Sequence, residues 1–131
     1  LPYFRYNDAG EIPDYEYING MVALARKFPS IKFLCYTKKY ELVNEWLDNN
    51  GGISAIPENL CIRFSAWDKT WEVPNPYNLP MAWVHFKNDL LNPEIPEKAA
   101  KCSNQIDKNI KCGGCGICFN KTIHDVVFEQ H

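Results

Sequence analysis

Four cysteines near one end of the chain, Cys102, Cys112, Cys115 and Cys118, form a C-x9-C-x2-C-x2-C array within KCSNQIDKNIKCGGCGICFN. Thiols three residues apart rarely reach the Cα separations and Cβ directions of a relaxed disulfide, so they do not satisfy one another as S–S bonds. As thiolates they can share one metal centre. Gly113, Gly114 and Gly116 lie between them, and glycine allows the positive φ that a loop wrapped closely about an ion or cluster needs. Four soft sulfur ligands select zinc or iron and sulfur.

Spacing is the only discriminator between the two. A structural zinc usually takes its ligands as two separated pairs. Here three ligands are bunched and one is remote, the way bacterial ferredoxins present three corners of a 4Fe-4S cubane while a distant cysteine supplies the last. An iron–sulfur cluster (4Fe-4S) is the expected cofactor, with zinc as the alternative. Cys35 and Cys61 fall within apolar stretches and read as small core hydrophobes. His124, close to the array, is a reserve ligand.

The rest of the chain must hold that array. At 131 residues, with 46% hydrophobic and 14% aromatic content, it has the length of one domain and enough apolar material for a real core. A net charge of −2 leaves no general basic field, which disfavours nonspecific nucleic-acid binding without excluding a local patch. No signal-peptide pattern opens the chain and no apolar run approaches a membrane span. A reducing, cytoplasmic compartment is expected, and it favours metal over disulfides. The start at Leu1 leaves open that this is a piece of a longer protein.

Local patterns divide the chain into 1–100, an α/β sheet domain, and 101–131, a cysteine-rich metal-binding segment packed on it. Pro2 to Tyr6 reads as a strand ending in the turn chemistry of Asn7-Asp8-Ala9-Gly10-Glu11. Asp14 can cap a helix whose apolar positions Ile18, Met21, Val22 and Ala25 recur at helical spacing. Ile31 to Tyr36 is a nearly unbroken apolar run, as expected for a parallel strand covered on both faces. Tyr40 to Asp48 carries one apolar stripe, Leu42, Val43, Trp46 and Leu47, and stops at Asn49-Asn50-Gly51-Gly52. Leu60 to Ala66 and Met81 to Phe86 are two further strands, separated by a segment whose Pro74, Pro76 and Pro80 exclude helix or central strand. Thr122 to Glu129 reads equally as a last strand or a short helix.

The β-α-β-α-β-loop-β order predicts an α/β fold with a mostly parallel sheet, open to being a partial barrel. In such sheets ligands bind beyond the carboxyl ends of the strands. That rim would gather Asp8, Glu11 and Lys38 as candidate catalytic groups, with Asn7, Thr37, Lys39, Trp67 and Lys87 as ligand-binding groups. Asp8 and Glu11 can act as an acid and base pair, or simply cap a turn. Lys38 and Lys39 can meet a phosphate or carboxylate, or stay solvated. Trp67, Trp71 and Tyr77 can stack on a planar ligand, or pack the proline-rich loop onto the sheet.

Three features resemble the phage-encoded gene product 88 family over most of the chain. The loop Asn7-Asp8-Ala9-Gly10-Glu11 is similar to that family's His-Asp-Ser-Gly-Asp, and Phe128-Glu129-Gln130-His131 to its aromatic-Pro-x-His ending. The cysteine array followed by Phe119 is similar to its C-terminal cysteine motif. Asn7, Ala9 and Glu11 depart from the family's histidine, hydroxyl residue and aspartate. More loosely, the strand-end loops resemble partial barrels of the radical S-adenosylmethionine kind. Those enzymes use C-x3-C-x2-C and leave one iron open, whereas Cys102 is available here to close the fourth corner. Two readings follow: a metal-binding phage or mobile-element protein with a redox or radical-type role, or a zinc-stapled module that binds a small polar ligand, nucleic acid or protein without catalysis.

Overall fold

A computed structural model describes residues 3–6, 11–67, 72–85, 93, 95–101, 118–121 and 123–129. The elements run β1 (Tyr3–Tyr6), α1 (Tyr15–Lys27), β2 (Lys32–Thr37), α2 (Tyr40–Asn50), a 3-10 turn (Ile53–Ala55), β3 (Leu60–Ser65), β4 (Met81–His85), β5 (Ala100–Lys101) and β6 (Asp125–Glu129). They make a six-stranded sheet of order β1-β2-β3-β4-β6-β5, and each neighbouring pair is parallel. The chain is an α/β fold with a parallel sheet, as its element order predicts.

Local chemistry explains the two helices. The Asp14 carboxylate accepts from Tyr17 N at 3.0 Å, capping α1, and the buried residues of α1 are the predicted Ile18, Met21, Val22 and Ala25. Asn59 finishes that helix from a distance: its Nδ2 donates to the carbonyls of Ala25, Phe28 and Ile31 at 2.8, 3.1 and 2.9 Å. Helix α2 runs two residues past the expected Asp48 because Gly51, at φ 91°, is the residue able to turn left-handed and close it on the Leu47 carbonyl. Trp46 Nε1 donates to Asn19 Oδ1 at 2.8 Å and ties α2 to α1.

The period-2 alternation of the strands then sorts the core into two layers. Phe33, Cys35, Leu60, Ile62, Phe64 and Met81 face the helices and pack with their buried stripes. Leu34 and Cys61 point the other way, onto Phe119. Burial of Phe33, Leu34 and Cys35 in succession is the mark of a strand covered on both faces. Strand β5, a two-residue edge, lies outside the sequence expectation, whereas the carboxyl-terminal stretch, expected as strand or helix, is a strand and enters the sheet as β6 between β4 and β5.

Candidate functional site

Because the strands are parallel, the chain leaves β1, β2, β3 and β4 at one end of the sheet. Glu11 sits there as a latch between the first two loops. Its Oε1 accepts from Thr37 Oγ1 at 2.7 Å and from Ile12 N at 3.1 Å, and its Oε2 accepts from Lys38 N at 2.7 Å. Thr37 is buried, and its Oγ1 in turn accepts from Lys39 N at 2.9 Å. The Lys38 ammonium lies 4.9 Å from the centre of the Trp67 ring, a cation–π contact on an exposed tryptophan. The Tyr40 hydroxyl donates to the Ser65 carbonyl and fastens α2 to the end of β3. Glu11, Thr37, Lys38, Lys39 and Trp67 therefore share the rim, and both oxygens of Glu11 are engaged in holding it. Asn7, Asp8 and Lys87 lie outside the described residues.

The second concentration of chemistry covers the sheet face away from the helices. Arg63, in the middle of β3, is fully buried there. Its Nε donates to the Cys118 carbonyl at 2.8 Å. Nη1 donates to the carbonyls of His124 at 2.9 Å and Met81 at 3.2 Å, and Nη2 to those of Asn120 at 2.9 Å and Ile123 at 2.7 Å. A guanidinium has five N–H groups in a fixed fork, and here each has a carbonyl. Four of the five belong to the segment that runs from the last cysteine into β6. Sequence reasoning passed over this residue, although an arginine inside the apolar run LCIRFSA is itself a signal, since a buried charge must be hydrogen-bonded.

Cys118 rests on that face as a half-buried cysteine packed with Leu34, Cys61, Phe119 and Tyr36. Burial pushes the Tyr36 hydroxyl far above the usual phenol range; the neighbouring Cys118, to whose sulfur it donates, adds to the rise, while Arg5 and Arg63 oppose it. The Arg5 guanidinium lies 4.8 Å from the Tyr36 ring centre. Burial raises the Cys61 thiol to about 11, against the pull of Arg63 and Lys121. Cys61 is thus a neutral thiol, as expected of a core cysteine, but it faces Cys118 and not the helices. Tyr3 and Phe119 pack with ring centres 4.7 Å apart, and Phe128 meets Tyr36 edge-on at 6.0 Å.

Of the four expected ligands, Cys102, Cys112 and Cys115 lie outside the described residues, and Cys118 is the one whose surroundings are described. Among the described residues no group of three or more His, Cys, Asp or Glu side chains stands together as a metal site. The surroundings of Cys118 would suit a thiolate corner: the Tyr36 hydroxyl beside it, Arg63 on its main-chain carbonyl, and aliphatic and aromatic walls from Leu34 and Phe119. His124, the reserve ligand, pairs its Nδ1 with Asp125 Oδ2 at 3.0 Å. Among the described residues no helix is long and apolar enough to cross a membrane.

A family model described as Gene product 88 matches residues 1–121. No curated protein matches the chain, and no solved structure does. The looser likeness to radical S-adenosylmethionine barrels is not supported by these comparisons.

Proposed function

The chain belongs to the phage-type gene product 88 family, and from that premise we propose that it works through a thiolate-held metal centre formed by Cys102, Cys112, Cys115 and Cys118. One observation carries the reading: the last cysteine of the array is held against the sheet by a buried arginine, with its sulfur on the face that also presents Tyr36 and Arg5. An ordinary surface loop needs no such anchor. A 4Fe-4S cluster in this position supplies one-electron chemistry, whereas zinc supplies a crosslink.

Each neighbouring residue has a part in that reading. Arg63 fixes the main chain at Cys118, so the sulfur is presented from a rigid base. The Tyr36 hydroxyl donates to the sulfur, and hydrogen bonds to ligand sulfurs are one of the means by which a protein tunes such a centre. Arg5 and Arg63 bring positive charge to a thiolate set that is net negative. Leu34 and Phe119 keep water from one side of it. The rim at the carboxyl ends of the strands, with Glu11, Lys38 and Lys39, is the proposed place for a small polar ligand.

Anaerobic purification followed by iron, sulfide and zinc analysis tests the proposal. A brown protein with about four iron and four sulfide per chain supports the cluster. Colourless protein with one zinc per chain supports a metal staple and removes the redox reading. Absence of both metals after reconstitution, or full metal content in a Cys115→Ser variant, would overturn the ligand assignment.

A further inference from the structure

The dipeptide Asn-Gly occurs twice, as Asn19-Gly20 inside α1 and as Asn50-Gly51 at the end of α2. Such a pair invites one reaction, attack of the glycine nitrogen on the asparagine side-chain carbon, because glycine has no Cβ to obstruct the cyclic imide that forms. Both asparagines are exposed, and both are tied to Trp46: Asn19 Oδ1 accepts from its indole nitrogen at 2.8 Å, and Asn50 Nδ2 donates to its carbonyl at 2.7 Å. The space beside each glycine is open. What separates the two sites is therefore the backbone.

Gly20 lies within α1, where helical dihedrals and the hydrogen-bond ladder hold its nitrogen away from the Asn19 side chain. Closing the imide there requires opening turns that are packed on the core through Ile18, Met21 and Val22. Gly51 instead ends α2, in the left-handed region at φ 91°. The bonds that restrain it, from Asn50 Nδ2 to the Trp46 carbonyl and from the Gly51 and Gly52 nitrogens to the Leu47 carbonyl, all belong to the last turn. Helix ends open far more readily than interior turns. Once that turn opens, the Gly51 nitrogen, having lost its proton to hydroxide, adds to Asn50 Cγ; the Cγ–Nδ2 bond breaks and ammonia leaves. Water then opens the imide at either carbonyl, leaving aspartate or isoaspartate.

We propose that Asn50 is a site of spontaneous deamidation, that α1 shields Asn19 from the same reaction, and that conversion of Asn50 loosens the end of α2. A carboxylate at position 50 has no N–H to give the Trp46 carbonyl, and it adds negative charge at the negative end of the helix dipole. The last turn of α2 holds no basic residue to offset that charge, and Asp48 is already in it. The test keeps the full chain folded in mildly alkaline buffer and follows both sites by tandem mass spectrometry of tryptic peptides. Cleavage after Arg5, Arg26, Lys39 and Arg63 places the two asparagines on different peptides. Asn50 should react at least about tenfold faster than Asn19, because the rate follows the population of the opened backbone, and in concentrated urea that gap should shrink. Asn50→Asp should lower the urea midpoint and speed hydrogen exchange at Gly51 and Gly52. Equal or faster reaction at Asn19 in the folded chain, no conversion of Asn50 over a period in which the urea-unfolded chain converts, or an unchanged midpoint in Asn50→Asp would each overturn the proposal.

Discussion

Replacing Arg63 with methionine removes the guanidinium while keeping a long side chain in its place. Of the five carbonyls it serves, that of Asn120 also accepts from Ile123 N at 3.1 Å and that of His124 from Met81 N at 2.7 Å. The loss falls hardest on the carbonyls of Cys118 and Ile123, whose bonds at 2.8 and 2.7 Å are two of the shortest in the set. A buried acceptor stripped of its donor costs about 1–3 kcal/mol, so the pair sets a ceiling near 6 kcal/mol. Partial hydration of a relaxing segment brings the expectation to about 3–4 kcal/mol, in the range measured when a buried charged network loses one partner. Urea denaturation should show that loss in the midpoint, and hydrogen exchange should show early opening of Val126 and Val127 in β6. Arg63→Lys, with three donors for five acceptors, should fall between the two. A destabilisation under about 1 kcal/mol with unchanged protection of β6 would refute the view that Arg63 holds the carboxyl-terminal segment.

Other consequences can be checked separately. Thr37→Val deletes the hydroxyl that bridges Glu11 and Lys39 N and should cost about 1–3 kcal/mol in a denaturant melt; a neutral result would mean that the rim latch is ornamental. Asn59→Ala removes the amide that serves three carbonyls around the end of α1, of which that of Phe28 keeps Ile31 N at 3.1 Å, and should cost about 1–3 kcal/mol, with exchange protection lost first near Ala25. The Cys61 thiol, raised from 9.0 to about 11 by burial, binds its proton more tightly folded than unfolded. Its contribution is therefore complete below pH 9 and is lost as pH rises towards 11, a loss of roughly 1–3 kcal/mol that Cys61→Ala should abolish in stability-versus-pH curves. Native Cys61 should also resist alkylation near neutral pH, because the thiolate is the reactive form.

Much of this architecture was readable from local pattern, and the exceptions share a cause. The stripe Ile18, Met21, Val22, Ala25 and the run Phe33, Leu34, Cys35 report their own burial, because helix and strand periodicity is a property of neighbouring residues. Once those elements are parallel, the convergence of Glu11, Thr37, Lys38 and Trp67 on one rim follows from topology. Strand order does not follow. The entry of β6 between β4 and β5 depends on pairings such as Trp83 with Val127, more than forty residues apart, and nothing in VVFE announces its neighbour. Arg63 was legible as an oddity in an apolar strand, but its acceptors are main-chain carbonyls, which have no sequence signature. Ala100–Lys101 is too short for any period to appear.

The most direct test of the thiolate centre is anomalous X-ray diffraction from crystals of anaerobically purified protein, collected on either side of the iron and zinc edges. The cysteine array predicts one metal centre, a four-iron cluster or a lone zinc, whose nearest metal gives an edge-specific signal at about 2.3 Å from Cys118 Sγ, on the sheet face that carries Tyr36 and Arg63. Crystals of metal-reconstituted protein with no anomalous peak within bonding distance of Cys118, or with Cys118 in a disulfide, would contradict it.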